Sequence, residues 1–293
     1  MKRDERNGGM KQERAPSRSS RRSSRGGWGR AVWIAALTVV LMGAIGVGPV
    51  EAQRRRRAAP PPEGEVDFKA FNVPYDGRLT FVRLRYTPSQ YGWGGGGWFD
   101  GVDYNWDHDY PRADRHLMTI MKELTAAAVR ADSSNVLGAD DPELFKYPIA
   151  YMSEPGYWTL TDQEAATFRA YLRKGGFIIF DDFTDFQSGG LFDALRKILP
   201  EGRVVELDAS HPIFHAFYDI DTLDFTHPYR GGPSRFLGIF EDNDPAKRLL
   251  VIANYNNDVG ESWEYSDRGF IPIELSNRAF KLGVNYLMYA LTH

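Results

Sequence analysis

Carboxylate side chains stand directly after two predicted strands in the middle of this 293-residue chain. Glu154 comes shortly after the apolar run of residues 149–152, and Asp181 and Asp182 follow the apolar run of residues 177–180. Paired carboxylates in a crevice can hold a sugar hydroxyl, bind a cation, or act as acid and base when their pKa values are driven apart. These three acids are therefore the catalytic candidates, with capping of the following turn as the alternative role for Asp181 and Asp182.

Further candidates for ligand binding lie beside these acids or in other loops. Asp185 follows the same predicted strand, and His211 and His215 have the spacing of two metal ligands on one helical face. The proline between the two histidines disfavours a helix there, and packed histidines are the alternative. Trp98 and Trp106 belong to a loop that mixes aromatic rings with acids and amides, a composition typical of carbohydrate-binding surfaces. A hydrophobic flap at the domain edge is the other interpretation of this loop.

The same loop contains two patterns that resemble cofactor motifs. Asp103, Asp107 and Asp109 imitate the ligand spacing of a calcium loop, but His108 occupies the position where an EF-hand turn needs glycine. The glycines of residues 92–97 match a dinucleotide fingerprint, yet no helix begins there and nearby acids would repel a pyrophosphate. We therefore expect no cofactor and no metal ion.

Composition excludes several classes of chemistry and of partner. The chain has no cysteine, which rules out disulfides, thiolate metal sites and a cysteine nucleophile. Without the 14 basic and 4 acidic residues of positions 1–57, 22 basic and 35 acidic residues remain, a formal charge of −13. Nucleic acid is an unsuitable partner for so acidic a domain. A protein of the cell envelope or a carbohydrate is the expected partner.

The segment that positions the acids has a complete strand–helix–strand pattern over residues 149–183. Thr161 and Glu164 form a capping box before a helix with one apolar face, and Gly175 and Gly176 provide a left-handed stop. The second strand is an almost uninterrupted apolar run. Such a β-α-β unit predicts a parallel sheet that is covered on both faces.

The rest of the domain alternates strands and helices in the same way. Strands are predicted at residues 79–86, 135–137, 203–207 and 248–254, and helices at residues 112–130, 191–199 and 277–291. The fold class is therefore α/β, a doubly wound, mostly parallel sheet with helices on both faces. Ligands bind at the carboxyl ends of the strands in such sheets, with the loop of residues 91–110 as the expected lid.

The first 64 residues predict where the protein works. Residues 1–30 form a basic region that cannot fold, and residues 31–52 combine an apolar run with a small-residue cleavage site typical of an export signal. A single transmembrane anchor is the alternative, and the membrane would then be contacted only through this segment. Residues 53–64 form an Arg/Pro-rich linker before one domain at residues 65–293. We expect an exported, periplasmic or envelope-associated protein, cleaved near Gln53 or anchored in the inner membrane.

Several segments of the domain resemble a known family. FVRLRY at residues 81–86, YPRADRH at residues 110–116, His-Pro-Ile-Phe at residues 211–214 and NYNNDVGESWEY at residues 254–265 resemble the exported bacterial family called domain of unknown function 4159. More distantly, the pattern resembles trehalose-utilisation-like proteins and the class I glutamine amidotransferase fold. These resemblances imply a flavodoxin-like layered sheet.

The resemblance does not imply amidotransferase chemistry. The cysteine elbow of that fold would fall at residues 153–156, where no cysteine exists. Ser153 is a conceivable substitute, but the segment lacks the Gly-x-Ser-x-Gly elbow. We expect an envelope protein with a catalytically degenerate amidotransferase-like domain that binds a glycan or a protein. The alternative is a carboxylate-dependent hydrolase that acts on a saccharide.

Overall fold

The computed structural model describes residues 68–89, 104–227 and 229–293. All of them belong to the second of two units of the chain, Arg54–His293. The predicted export signal, the linker, Trp98 and Asp103 lie outside the described residues.

The described residues form a seven-stranded sheet. Its strands are β1 Val82–Arg85, β2 Asn135–Gly138, β3 Ile149–Ser153, β4 Phe177–Phe183, β5 Val205–Glu206, β6 Arg235–Phe240 and β7 Leu249–Tyr255. The strand order is β2-β1-β3-β4-β7-β6-β5, in which β2, β1, β3, β4 and β7 are parallel and β6 and β5 run antiparallel to their neighbours. The parallel part has the order of flavodoxin-like sheets.

Five α-helices accompany the sheet in the described part of the chain. They are α1 Arg112–Leu124, α2 Asp162–Arg173, α3 Asp185–Ile198, α4 Val259–Glu264 and α5 Ile273–Thr292. Successive side chains of β4 alternate between two cores: Ile178 packs with residues of α2 and α3, whereas Ile179 packs with residues of α1 and α5. The predicted α/β fold with a layered, mostly parallel sheet is thereby confirmed.

The central unit folds as its sequence predicts. Thr161 and Glu164 form the capping box at the start of α2: the Thr161 Oγ1 accepts the Glu164 N–H at 3.1 Å, and the Glu164 Oε2 accepts the Thr161 N–H at 2.8 Å. Gly175 follows the helix at φ +115°, a conformation that L side chains rarely adopt. Strands β3 and β4 then pair in parallel, from Ile149 with Phe177 onward.

Three predicted helix boundaries were wrong for local reasons. Helix α1 ends at Leu124, not at residue 130, because the chain becomes extended there and residues 128–130 pair with Leu79. Helix α3 begins at Asp185, not at residue 191, because a second capping box precedes it, in which the Gln187 Oε1 accepts the N–H of the preceding threonine at 2.9 Å. Helix α5 begins at Ile273, directly after a proline, four residues earlier than predicted.

No described helix is both long enough and apolar enough to cross a bilayer. The predicted apolar segment of residues 31–52 lies outside the described part of the chain.

Candidate functional site

Polar side chains from three separate segments meet where the parallel strands end. His108 and Asp109 come from the segment before α1, Asp182 from the end of β4, and Asp258 and Glu261 from the start of α4. The carboxyl ends of parallel strands lie along one edge of a sheet, so residues distant in sequence become neighbours there. We call these five residues the acid-histidine cluster.

His108 is the centre of the cluster. Its Nδ1 lies 3.2 Å from the Asp182 Oδ2 and 3.7 Å from the Asp109 Oδ1, and its Nε2 lies 3.9 Å from the Glu261 Oε2. The His108 side chain is 22% exposed, whereas the three carboxylates are at most 6% exposed. The imidazole therefore connects otherwise buried acids to solvent.

A second histidine approaches Asp182 from the loop before β6. The His227 Nδ1 accepts the backbone N–H groups of Tyr229 and Arg230, both at 3.2 Å. A neutral ring with an accepting Nδ1 carries its proton on Nε2, which lies 3.9 Å from the Asp182 Oδ1. His227 thus directs a donor at the carboxylate that His108 contacts from the other side.

Helix α4 fixes the remaining two acids. The Asp258 side chain caps this helix by accepting the Glu261 N–H at 2.9 Å. The Glu261 Oε1 accepts the hydroxyl of Tyr229 at 2.5 Å, so that its Oε2 is turned toward His108. A Cβ at Gly260 would lie 2.4 Å from the Asp109 Oδ2, and only glycine allows Asp109 to pack this closely against α4.

Several buried polar atoms of the cluster, and one of the neighbouring His227, make no hydrogen bond to residues that the structure describes. Both carboxylate oxygens of Asp109, the Asp182 Oδ1, the Glu261 Oε2 and the His227 Nε2 have no hydrogen-bond partner among the described residues. Native proteins leave few buried polar atoms unsatisfied, and such atoms point to a missing ligand, ion or water.

Electrostatics moves the pKa values of the cluster in different directions. Burial raises the pKa of Asp109 well above its ordinary value despite the opposing charge of His108. Burial, and then the charges of Asp182 and Asp109, likewise raises the pKa of Asp258. Burial would also raise the pKa of Asp182, but the hydrogen bond with His108 and the nearby ring of His227, 3.9 Å away, outweigh it and lower this pKa. Burial lowers the pKa of His108, but Asp109 and Asp182 together raise it well above the ordinary value.

Uncommon backbone conformations concentrate around the cluster. Among the described residues, seven other than glycine have a positive φ, and five of them border the site: Asn105 (65°), Asp109 (66°), Glu154 (47°), Asp182 (52°) and Asn256 (49°). Such conformations persist where the surrounding structure imposes them, and they are frequent at functional sites. The fold therefore holds the cluster's loops in conformations that unconstrained chains avoid.

Arg83 of β1 anchors the segment that carries His108. Its guanidinium donates to the carbonyl oxygens of His108 at 2.7 Å and Trp106 at 3.1 Å, and it pairs with Asp114 of α1 at 2.6 Å. Arg83 is fully buried and lies 4.7 Å over the ring of Tyr151. One side chain thus links β1, α1 and the loop of the cluster.

Asp181 does not belong to the cluster, although the sequence predicts it beside Glu154 and Asp182 as a catalytic candidate. Its side chain is fully buried and accepts hydrogen bonds at 2.9 Å from the Tyr151 hydroxyl, the Asn254 amide and the Gly260 N–H. Burial raises the pKa of Asp181 to about 6, although the hydrogen bonds from Asn254 and Gly260 oppose this rise. Neither Asp181 nor Asp182 caps a turn, because both lie within β4.

Glu154 lies beside the cluster on a sharp turn at the end of β3. Its Oε2 accepts from the Asn105 amide at 2.6 Å, and its charge contributes to the raised pKa of His108. The preceding Ser153 is fully buried. The Ser153 hydroxyl is therefore closed to solvent, and it lies outside the acid-histidine cluster.

The predicted pair of histidines does not form a site. The His211 ring packs 5.4 Å from Phe240 and 5.8 Å from Tyr289, whose hydroxyl accepts the N–H of Leu249 at the beginning of β7. This is the opposite edge of the sheet from the cluster. His215 instead contacts the Ala209 carbonyl at 2.7 Å, and no shared metal geometry results.

The other predicted ligand-binding residues are also placed apart from the cluster. Trp106 is buried and packs 4.6 Å from Phe68, so it offers no exposed stacking surface. The Asp107 Oδ1 accepts the N–H of Tyr104 at 2.9 Å and closes a local turn. Asp185 lies in the first turn of α3 and lines a separate groove next to β5 and β6.

Sequence reasoning missed four residues of this region: His108, Asp258 and Glu261 of the cluster, and His227 beside it. A usable signal existed for two of them. Asp258 and Glu261 directly follow a strongly apolar predicted strand, which is where ligand-binding residues of parallel sheets occur. His227 follows no parallel strand, and its position depends on tertiary packing alone.

The fold and the cluster define a layered α/β domain with a buried acid-histidine site at the carboxyl edge of its sheet. The chain matches, over residues 80–291, the family model described as domain of unknown function (DUF4159), and it belongs to this family. No curated protein shows a significant match to the chain.

Proposed function

We propose that this protein is an exported hydrolase of the cell envelope that works at the acid-histidine cluster. The observation that carries the proposal is the convergence of four buried carboxylates on His108, the one member of the cluster whose side chain remains notably open to solvent. In an ion pair that only stabilises a fold, each charged group is normally satisfied by its partner. Several carboxylate oxygens of this cluster, by contrast, have no hydrogen bond among the described residues. Hydrolysis gives these oxygens a role, because it needs groups that bind and activate water.

The reaction consists of the addition of water across a glycosidic bond. The water oxygen bonds to the anomeric carbon as the bond to the leaving oxygen breaks; one carboxylate takes the proton of the water, and an acid supplies a proton to the leaving group. Asp182 is the candidate for the first role, because it stays ionised and lies 3.2 Å from His108, the member of the cluster that is open to solvent. Asp258, at the start of α4, is the corresponding candidate for the second role.

A saccharide is the substrate class that the surroundings of the cluster favour. Tyr229 is 44% exposed and bonds to Glu261, and the partly exposed Tyr157 lies close enough to Glu154 and Asp182 to be affected by their charges. Aromatic rings beside carboxylates suit sugars, whose apolar faces stack and whose hydroxyls donate hydrogen bonds. The acidic domain disfavours polyanionic substrates.

The experiment that tests this function measures the release of reducing ends from envelope polysaccharides and nitrophenyl glycosides. We expect turnover by the wild type and a loss of at least about a hundredfold in Asp182→Asn and Asp258→Asn. Asp219→Asn, which changes an exposed acid paired with His215, serves as the matched control and should keep full activity. Equal activity in all four proteins would exclude the cluster as the site.

Binding without turnover is the second candidate, and one observation favours it. The domain resembles a fold whose usual nucleophile is cysteine, and neither a cysteine nor an accessible Ser153 is present. The same glycans would then bind to the wild type without being cleaved. Loss of that binding in Asp182→Asn would support a glycan-binding domain over a hydrolase.

Export is a separate part of the proposal and rests on the sequence of residues 1–52. N-terminal sequencing of the protein from the envelope fraction should give a chain that begins near Gln53, or an intact N-terminus if the segment serves as an anchor. Recovery of the protein from the cytoplasm would contradict both forms.

A further inference from the structure

The acid-histidine cluster contains two sets of metal-ligand atoms that share His108. One set is His108, Asp182 and Asp258, and the other is His108, Asp109 and Glu261. Within each set, the ligand atoms all lie within 4.8 Å of one another. Two ligands bound to one ion at about 2.1 Å are at most about 4.2 Å apart. Either set can therefore close around an ion if its side chains shift by a few tenths of an ångström.

Acidic side chains often lie close together without binding an ion, so a second observation is needed. The burial of the Asp109 carboxylate without hydrogen bonds in the described part of the chain provides it. Asp109 is 2% exposed, and neither of its carboxylate oxygens has a hydrogen-bond partner among the described residues. Its Oδ1 lies 3.7 Å from the His108 Nδ1, too far for a hydrogen bond but suited to a shared ligand between them. A buried carboxylate without hydrogen bonds is costly unless a cation or a proton compensates it.

The charge balance of the cluster points in the same direction. Four carboxylates surround His108, the nearby Arg83 is already paired with Asp114, and the charge of Arg230 acts on one of the four, Asp182. The His227 ring faces the Asp182 Oδ1 at 3.9 Å, which is beyond hydrogen-bond distance. A divalent cation would compensate the excess negative charge and satisfy the orphaned oxygens together.

We propose that the cluster binds one divalent transition-metal ion, with His108, Asp182 and Asp258 as ligands and Asp109, whose Oδ1 faces the same His108 nitrogen as Asp182, completing its coordination. The ligand set is one imidazole nitrogen with carboxylate oxygens and no thiolate, which suits Mn²⁺, Fe²⁺ or Zn²⁺ better than the all-oxygen sites of Ca²⁺. His227 then serves as a positioning residue, because its Nε2 lies 3.9 Å from the second Asp182 oxygen and limits how this carboxylate can turn.

This inference deepens the proposed hydrolase, and it rests on the same site. With the ion bound, Asp182 and Asp258 would be its ligands instead of transferring protons, and a water held by the ion would be the attacking group. A bound ion of this kind lowers the pKa of a coordinated water and makes it nucleophilic at neutral pH. Ion binding is nevertheless measurable without any turnover, which keeps the two proposals separable.

The test is isothermal titration calorimetry on the full-length chain after removal of metals with EDTA. The probes are MnCl₂, ZnCl₂ and CaCl₂, and metal analysis of the untreated protein accompanies the titrations. We expect one Mn²⁺ or Zn²⁺ per chain, with Ca²⁺ binding more weakly. His108→Gln and Asp258→Asn should each bind the ion at least about tenfold more weakly than the wild type.

Two features of the experiment distinguish a loss of ion binding from a loss of folding. Asp258→Asn keeps an amide oxygen that can cap α4, so the helix should remain intact in this variant. His215→Gln is the matched control, because its ring contacts Asp219 and the Ala209 carbonyl outside the cluster, and it should bind the ion like the wild type. Circular dichroism in EDTA establishes that all three variants are folded.

The outcomes separate the ion site from the hydrolase. Ion binding that depends on His108 and Asp258 but brings no turnover supports the site and counts against the hydrolase. Turnover by the metal-free protein supports the hydrolase and overturns the catalytic use of the ion. No binding by the wild type, equal binding by His108→Gln, or tighter binding of Ca²⁺ than of Mn²⁺ and Zn²⁺ would overturn the proposed site.

Discussion

Replacement of Arg83 by methionine should show how strongly the fold depends on the anchor of the cluster. Arg83 is fully buried, and its loss leaves the Asp114 carboxylate and the carbonyl oxygens of Trp106 and His108 without their donor. Removal of one partner of a buried ion pair costs about 3–5 kcal/mol. For a domain of this size, we expect the midpoint of thermal unfolding to fall by roughly 10 °C.

A double variant separates the ion pair of Arg83 with Asp114 from the hydrogen bonds that Arg83 donates to the two carbonyl oxygens. Arg83→Met with Asp114→Leu removes both charges, and replacement of a buried pair by apolar side chains is often close to neutral. The two carbonyl oxygens remain unpaired, so a residual loss of about 2 kcal/mol should persist. The double variant should also bind the proposed ion more weakly, since the His108 backbone has lost its anchor.

Urea unfolding in EDTA, followed by tryptophan fluorescence, measures these free energies without a contribution from a bound ion. The single variant should be the least stable protein of the series, and the double variant should regain about 2 kcal/mol. A loss of less than about 1 kcal/mol in Arg83→Met, or a double variant as unstable as the sum of both single changes, would refute the reasoning.

Three further predictions test other parts of the structure. Ile179→Asp should destabilise the domain by about 3 kcal/mol or more, because it places an unpaired charge in the middle of β4; a nearly unchanged melting temperature would contradict the assigned strand. Gly190→Ala should destabilise α3, because the new Cβ would lie 2.2 Å from the Gly156 carbonyl, whereas the control Gly189→Ala meets open space and should stabilise by about 0.5–1 kcal/mol in urea unfolding. The free energy of unfolding of the wild type relative to Asp181→Asn should fall by about 2 kcal/mol as the pH rises from 4 to 7 in EDTA. The native pKa of Asp181, raised to about 6, means that the folded state holds this proton more tightly than the unfolded state, so its contribution is lost as the pH rises through 6; a difference that is constant with pH would contradict this.

Local signals were sufficient to predict the central unit of the fold. The capping box of Thr161 and Glu164, the apolar run of β4 and the glycine stop at Gly175 all act within a few residues of the chain, and each has the predicted conformation. Helix α3 shows the limit of this reasoning. Gly190 looks like a helix breaker in the sequence, but it is required because α3 passes against the carbonyl of Gly156.

The candidate site depends on long-range packing, and the sequence predicted it only in part. Asp181 and Asp182 are adjacent in the chain, yet they have different roles because the pairing of β4 with β7 shifts register between Phe180 and Phe183. Asp181 is thereby held in the core, and Asp182 is turned toward His108. No pattern in the sequence indicates such a shift.

The position of His108 also depends on contacts with residues that are distant in the sequence. Its position is set by Arg83, which lies 25 residues earlier in the chain, and by contact with Asp182, which lies 74 residues later. The sequence indicated only that the strand ends should be inspected. It could not indicate that a histidine from the loop before α1 would lie between the carboxylates.

The most direct test of the account is a crystal structure of the protein soaked with MnCl₂, examined with data collected near the manganese absorption edge. We predict one anomalous peak at the carboxyl edge of the sheet, about 2.1–2.3 Å from a nitrogen of His108 and from carboxylate oxygens of Asp182 and Asp258. A cluster without an anomalous peak, or an ion bound only elsewhere on the surface, would contradict the claim that these residues form the functional site.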